Sequence, residues 1–173
     1  MDSQTISKAI SGDPEALALL VNEYKDIAFN LALGIVKNKE NAKDITQDSF
    51  LKVLENIKGF RNESKFSTWL YKIVYNQSMQ FIQKTNSINF SDINSVKDND
   101  FINDVSNGED KYLELYQTID QLEDNERIVV KLFYLAGKSI KDINSISGLS
   151  ISNIKVILYR ARKRLNKKLT TEL

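Results

Sequence analysis

The chain has 173 residues, 42% of them apolar, with 24 Lys and Arg against 23 Asp and Glu. It contains neither Cys nor His, which excludes a disulfide framework, thiolate or imidazole metal ligation and His-based acid–base or triad chemistry. No apolar run approaches the ~18 residues of a membrane span, and the N-terminal residues lack the basic and apolar regions of a signal peptide, so a cytoplasmic binding protein with no metal and no cofactor is expected.

Helices should dominate, because Pro14 is the only proline and glycine is scarce. Asp13 can cap a helix with Pro14 at its first position, and Glu15 and Ala16 suit the first turn. Leu17, Leu20, Val21, Tyr24, Ile27, Ala28, Leu31, Leu33, Ile35 and Val36 continue the pattern at three-to-four spacing. Residues Asn38 to Asn41 break it. Ala42 to Ile57 is the next helix, with Ile45, Phe50, Val53, Leu54 and Ile57 as its apolar set and Ile45, Val53 and Leu54 largely on an inward face. Lys58 to Ser67 reads as a polar loop holding Phe60 and Arg61. A further helix spans Thr68 to Gln83.

The segment 86–110 differs from the rest. It is rich in Asn, Asp and Ser and has no sustained period, so it reads as an irregular, flexible acidic linker. A weak extra helix under a loop is the other reading. Helices follow over Lys111 to Leu122, Glu126 to Leu135, Ile140 to Ile146 and Ser150 to Leu169. The expected fold is all-α, with two small helical domains, 1–85 and 111–173, joined by that linker.

The last two helices enclose Ser147-Gly148-Leu149-Ser150, and the second ends in the cations Arg160, Arg162, Lys163 and Arg164. A helix, a glycine turn and a second, basic helix form a helix-turn-helix, which lays its second helix against nucleic acid. An ordinary αα-hairpin is the plainer alternative. Net charge is only +1, so any attraction to DNA is local rather than a global field.

Three segments carry a family resemblance. They are residues 41–53 (NAKDITQDSFLKV), 66–76 (FSTWLYKIVYN) and 159–165 (YRARKRL). In this order they resemble bacterial RNA polymerase sigma factors of the extracytoplasmic-function (ECF) type, in the sigma-70 family. The resemblance covers nearly the whole chain. It implies a region 2 helical bundle in 1–85 and a region 4 helix-turn-helix in 111–173. It also implies core RNA polymerase as partner, through the clamp coiled coil of the largest subunit and the flap region, together with promoter DNA. An anti-sigma factor is a further partner that the family allows.

Residue by residue, the resemblance assigns polymerase binding to Asp44, Gln47, Asp48, Phe50, Leu51 and Lys52. Asp44, Gln47, Asp48 and Lys52 share one helix face by spacing alone, which a merely solvated face would also do. Phe60, Lys65 and Asn76 fall where the family holds one flipped base of the −10 element. Trp69, Lys72, Tyr75 and Gln80 would lie nearby, although a lone Trp is as often core. At the −35 element the implied set is Ser150, Asn153, Lys155, Val156, Ile157, Arg160, Arg162, Lys163 and Arg164.

The chain departs from the family pattern at several positions. Val156 and Ile157 stand where a small polar residue and an Arg are usual. Gln80, Gln83, Lys84 and Asn86 replace an Arg-rich helix end, and Asn144 replaces a small apolar residue. Apolar side chains make no bidentate base contact, though they touch a thymine methyl. One expectation is therefore weak −35 reading, with an exposed Val156–Ile157 patch docking a DNA-bound recruiter. That recruiter would be a transcription factor or a nuclease-inactive RNA-guided DNA binder. The other is a divergent −35 sequence read by different contacts. Two further readings stay open: a sigma-like decoy that occupies polymerase, and a stand-alone helix-turn-helix regulator. No catalytic residues are expected, since paired carboxylates and a Gly-rich phosphate loop are lacking.

Overall fold

The computed structural model describes residues 3–89, 119 and 122–171. Most of the expected 86–110 linker and of the Lys111–Leu122 helix lies outside the described residues. The chain divides into two compact units, Met1–Asn99 and Asp100–Leu173. Among the described residues there are seven α-helices and no strand.

The first unit opens with α1, Ser3–Ile10, which the sequence reading did not anticipate. It is short, and its signal is one buried Ala9 flanked by half-buried Ile6 and Ile10. Helix α2, Pro14–Val36, starts as its cap dictates: the Asp13 carboxylate accepts from the amides of Glu15 at 2.9 Å and Ala16 at 3.2 Å. It ends at Lys37 in the left-handed conformation, φ 57°, whose amide returns to the Leu33 carbonyl. Helix α3, Lys39–Asn56, begins at once, because the Asn38 side chain accepts from the Asn41 amide at 3.0 Å. The expected break over Asn38–Asn41 is thus only the joint at Lys37 and Asn38.

A single 3₁₀ turn, Ile57–Gly59, and a short loop lead to α4, Phe66–Asn89. Helix α4 runs past Gln83, where the sequence reading ended it. No Gly or Pro lies between Lys84 and Asn89, so nothing local stops it. Helices α2, α3 and α4 pack pairwise, and α1 packs on α2. Their shared core holds Leu20, Leu31 and Ile35 from α2, Ile45 and Val53 from α3, and Leu70 and Val74 from α4. Ala28, Ala32 and Ala42 are buried among them, and small side chains let helix backbones approach closely. Ser49 and Ser78 are also fully buried. Each returns its hydroxyl to its own helix, to the Ile45 carbonyl at 2.6 Å and the Val74 carbonyl at 2.8 Å.

The second unit contains α5, Asp124–Val130, which continues into one π-turn over Lys131–Leu135, closed by the Ala136 amide on the Lys131 carbonyl. Helices α6, Ile140–Ser147, and α7, Ile151–Thr171, follow. Ile119, Leu122, Val130 and Ala161 form one core cluster with Leu165 against it, and Ile143, Ile146 and Ile154 are buried as well.

The turn between α6 and α7 is closed by side chains. Ser139 and Asp142 form a reciprocal capping box at the start of α6. Gly148 ends the helix at φ 73°, a conformation that costs any L side chain. The Asn144 amide donates to the Leu149 carbonyl at 2.7 Å, the Leu149 amide donates to the Ser147 hydroxyl at 3.2 Å, and the Ser150 hydroxyl caps α7 by accepting from the Asn153 amide at 3.2 Å. Asn144, a departure from the family pattern, is therefore the residue that ties this turn shut. Asn144→Ala should lower stability by about 1 kcal/mol, through loss of one hydrogen bond. Gly148→Ala should cost about 1–2 kcal/mol through left-handed strain. Denaturant unfolding followed by circular dichroism checks both.

Candidate functional site

On α3 the buried positions are Ala42, Ile45, Ser49, Phe50 and Val53. Their spacing turns Asp44, Gln47 and Asp48 outward, and all three are exposed. Leu51 continues this face at 51% exposure and Leu54 at 43%. The outward stripe is consequently mixed, with two leucines beside two carboxylates. Leu54 was expected to face inward and does not. Ser49 is buried between Ile45 and Val53, since a hydroxyl bonded back to its own helix can enter the core. Phe50, expected in the docking set, is only 8% exposed and belongs to the core; Lys52 is half-buried.

Beyond the 3₁₀ turn, four aromatic rings gather. Phe60 lies 5.7 Å from Phe66 and 5.2 Å from Trp69 between ring centroids, and Phe66 lies 5.7 Å from Trp69 and 5.3 Å from Tyr24. These distances and tilts suit attractive ring pairs. Phe60 is only 7% exposed, so it is not the open stacking platform that its loop position suggested. Its faces are covered by its own neighbours, while Trp69 stays half-exposed at the edge of the cluster. Tyr24 and Phe66 complete the cluster and were not foreseen as part of it, because Tyr24 comes from a distant helix.

Along α4, Lys72, Asn76 and Gln80 are exposed at four-residue intervals, with Trp69 one turn before them and exposed Lys65 just ahead of the helix. The helix carries no Asp or Glu over its 24 residues. This face offers ammonium, amide and indole groups with no carboxylate to repel a phosphate. Tyr75 is half-buried off this line, and burial raises its phenol above the usual range. Burial, then the neighbouring Tyr24, pushes Tyr71 up to about 12, so it stays a neutral core phenol.

On α7, Ile154, Ile157, Leu158 and Ala161 are buried. Ile157 is 7% exposed, which removes it from the expected DNA face and from the expected Val156–Ile157 patch. Val156, 43% exposed, remains outside with Asn153, Lys155 and Arg160. Tyr159, at 68%, is the most exposed large apolar side chain on this face and was missed. Its signal was present, since it stands at three-to-four spacing from Lys155 and Val156.

The basic cluster divides by role. Arg164 Nη1 donates to Glu126 Oε2 at 2.6 Å and its Nη2 lies 3.9 Å from Glu123 Oε1. Since the Glu126 side chain is only 7% exposed, Arg164 serves to neutralise a buried carboxylate rather than standing free for DNA. Arg162 donates through Nε to the Tyr134 hydroxyl and lies over the Tyr134 ring at 5.7 Å from its centroid. Arg160 and Lys163 are the exposed cations that remain beside Lys155.

Comparison with known proteins agrees with this division into two units. The sigma-70 region 2 model matches residues 20–88, and the sigma-70 region 4 model matches residues 112–165. The sigma factor SigW of Bacillus subtilis strain 168 is 32% identical, over 98% of this chain and 97% of its own length. The chain belongs to the ECF sigma factors of the sigma-70 family. SigV of the same organism is 30% identical over 90% of this sigma factor and 92% of its own length. The fold is shared with the sigma factor RpoE of Bartonella quintana, solved with the anti-sigma factor NepR, at TM-score 0.79 and 20% identity over 90% and 98% of the two chains. It is shared also with CnrH, solved with the cytosolic domain of CnrY, at TM-score 0.70 and 19% identity over 99% of each chain. Among the described residues, no helix of this sigma factor is long and apolar enough to cross a membrane.

Two substitutions separate core from surface. Phe60→Ala should cost about 3–5 kcal/mol of stability as a cavity-forming change, whereas Asn76→Ala should stay within about 0.5 kcal/mol. Arg164→Ala should cost about 1–2 kcal/mol, discounted because the guanidinium is half exposed, while Lys163→Ala leaves stability unchanged. Thermal unfolding of the four variants checks this.

Proposed function

We propose that this sigma factor binds core RNA polymerase and directs promoter-specific initiation as a non-catalytic, cytoplasmic subunit. The observation that carries the reading is the outward face of α3. Leu51 and Leu54 are exposed large apolar groups set among Asp44, Gln47 and Asp48. Such a face favours a partner surface that covers the leucines and supplies cations to the carboxylates. In this reading the partner is the clamp coiled coil of the largest polymerase subunit, and the region 4 unit meets the flap region. Glu126, Glu123 and Arg164 hold that unit in shape rather than contact the partner.

Capture of the melted −10 element falls to the carboxylate-free face of α4. Lys65 and Lys72 attract the strand's phosphates, Asn76 and Gln80 offer paired donor and acceptor groups to a base edge, and the half-exposed Trp69 supplies the stacking edge. Phe60 acts from behind, as the ring that holds Trp69 in place. Region 4 docks α7 at the −35 element. RpoE was solved with the anti-sigma factor NepR, and we infer an anti-sigma partner for this chain by analogy. A DNA-bound recruiter has less to hold than the sequence suggested, because buried Ile157 leaves only Val156 of the expected pair. A sigma-like decoy would bind polymerase equally well; runoff transcription by the reconstituted holoenzyme separates the two.

The double substitution Asp44→Arg with Asp48→Arg should abolish co-purification with core polymerase and leave helical content by circular dichroism unchanged. Retained binding by the folded variant would reject this docking face. Asn76→Ala should lower permanganate reactivity of promoter thymines with core affinity unaltered; an undiminished footprint would move base capture elsewhere.

A further inference from the structure

The exposed face of the recognition helix is unusual for a base reader. From Ile151 to Arg160 the exposed side chains are Ile151, Ser152, Asn153, Lys155, Val156, Tyr159 and Arg160. None is a carboxylate, the side chain that most specifically accepts from a cytosine amine. The only planar fork in the first two turns is the amide of Asn153, and an amide pairs with adenine N6 and N7. Val156 and Ile151, 43% and 42% exposed, have one favourable major-groove partner, the thymine methyl. Asn153 and Val156 stand three residues apart on one face, a rise of ~4.5 Å. That rise spans between one and two base steps of ~3.4 Å. Arg160 lies two turns from Asn153, toward the helix exit. Lys155 is a flexible point charge. Both suit phosphates.

We propose that this sigma factor reads an A·T-defined upstream element, with the Asn153 amide on adenine and the Val156 side chain on a thymine methyl one or two base pairs away. The inference rests on the reading of the chain as a promoter-binding sigma factor. The apolar departure at Val156 is then a change of code rather than a loss of recognition. Burial of Ile157 supports this, since the second apolar residue never faces the groove. The residue that reads the methyl would be helped by Ile151 at the groove entry, while Tyr159 covers the sugar–phosphate edge.

The test uses the full chain with core polymerase. Templates randomised only upstream of a fixed −10 region are transcribed, and the productive ones are sequenced. Enrichment of adjacent or next-but-one A·T pairs at one spacing from −10 is the expected result. The enriched template is then rebuilt with deoxyuridine in place of thymine, which removes the methyl and leaves pairing intact. Wild-type activity should fall about fourfold per contacted methyl, the factor that one buried methyl is worth. Val156→Ala should respond equally to thymine and uracil, and Asn153→Ala should lose its preference for adenine. A G·C-defined element, or equal activity of wild type on thymine and uracil templates, overturns the proposal. Transcription without any upstream preference overturns it too, yet leaves the sigma-factor reading standing. Absence of transcription from every template overturns both.

Discussion

The constraint on which the rest of this structure depends is small size. Each unit has room for a core only about one side chain thick, so every helix buries one face and leaves the other in water. In the first unit α2, α3 and α4 meet over Leu20, Ile35, Ile45, Val53, Leu70 and Val74. Buried alanines and back-bonded serines bring the backbones close without orphaned hydroxyls; among the described residues no buried side-chain polar atom lacks a partner. Because the inward faces are committed to packing, the outward faces are free to carry recognition. The stripe of leucines and carboxylates on α3 and the carboxylate-free stripe of α4 are the two that result.

The second unit solves the same problem with charge. Beside its apolar cluster, two ion pairs each tie one buried charge to a partner nearer the surface. Arg127 is 1% exposed, holds Asp124 at 2.7 Å and donates to the Leu122 carbonyl at 3.2 Å. Arg164 reaches back across 38 residues to Glu126. A buried charge without its partner is costly, so the Arg164–Glu126 pair favours one register of α7 against α5, while Arg127 acts locally at the start of α5. That register decides which residues of α7 face out. With Ile154, Ile157 and Leu158 turned in, Asn153, Lys155, Val156 and Tyr159 must face away from the core. The fold and the exposed face of α7 are thus consequences of the same packing.

Electrostatics in this protein is local. A net charge of +1 gives no long-range field, and salt confines each patch to a Debye length of ~10 Å at 0.1 M. Within that range the signs are sorted by helix. The exposed face of α3 is acidic, α4 has no carboxylate, and α7 presents Lys155, Arg160 and Lys163. A protein partner with cations and a nucleic acid can therefore be held by different helices of one nearly neutral chain.

Much of this was legible in the sequence. The Asp13-Pro14 start, the Gly148 turn, the all-α class and the family motifs are local properties, fixed by backbone chemistry within a few residues. The stripe of Asp44, Gln47 and Asp48 follows from helical period alone. What packing alone decided are the positions where period is ambiguous by one residue, about 100° of rotation. Leu54, expected inward, is left out, and Ser49 is buried between Ile45 and Val53 because a back-bonded hydroxyl can enter the core. Phe50, Phe60 and Ile157 were assigned to interfaces, yet the core needed their volume. Arg164 looked like one more cation until Glu126, far away in sequence, was found buried beside it. A side chain's type limits what it can do, but which neighbour it meets is set by contacts between distant segments, and those exist only once the helices have packed.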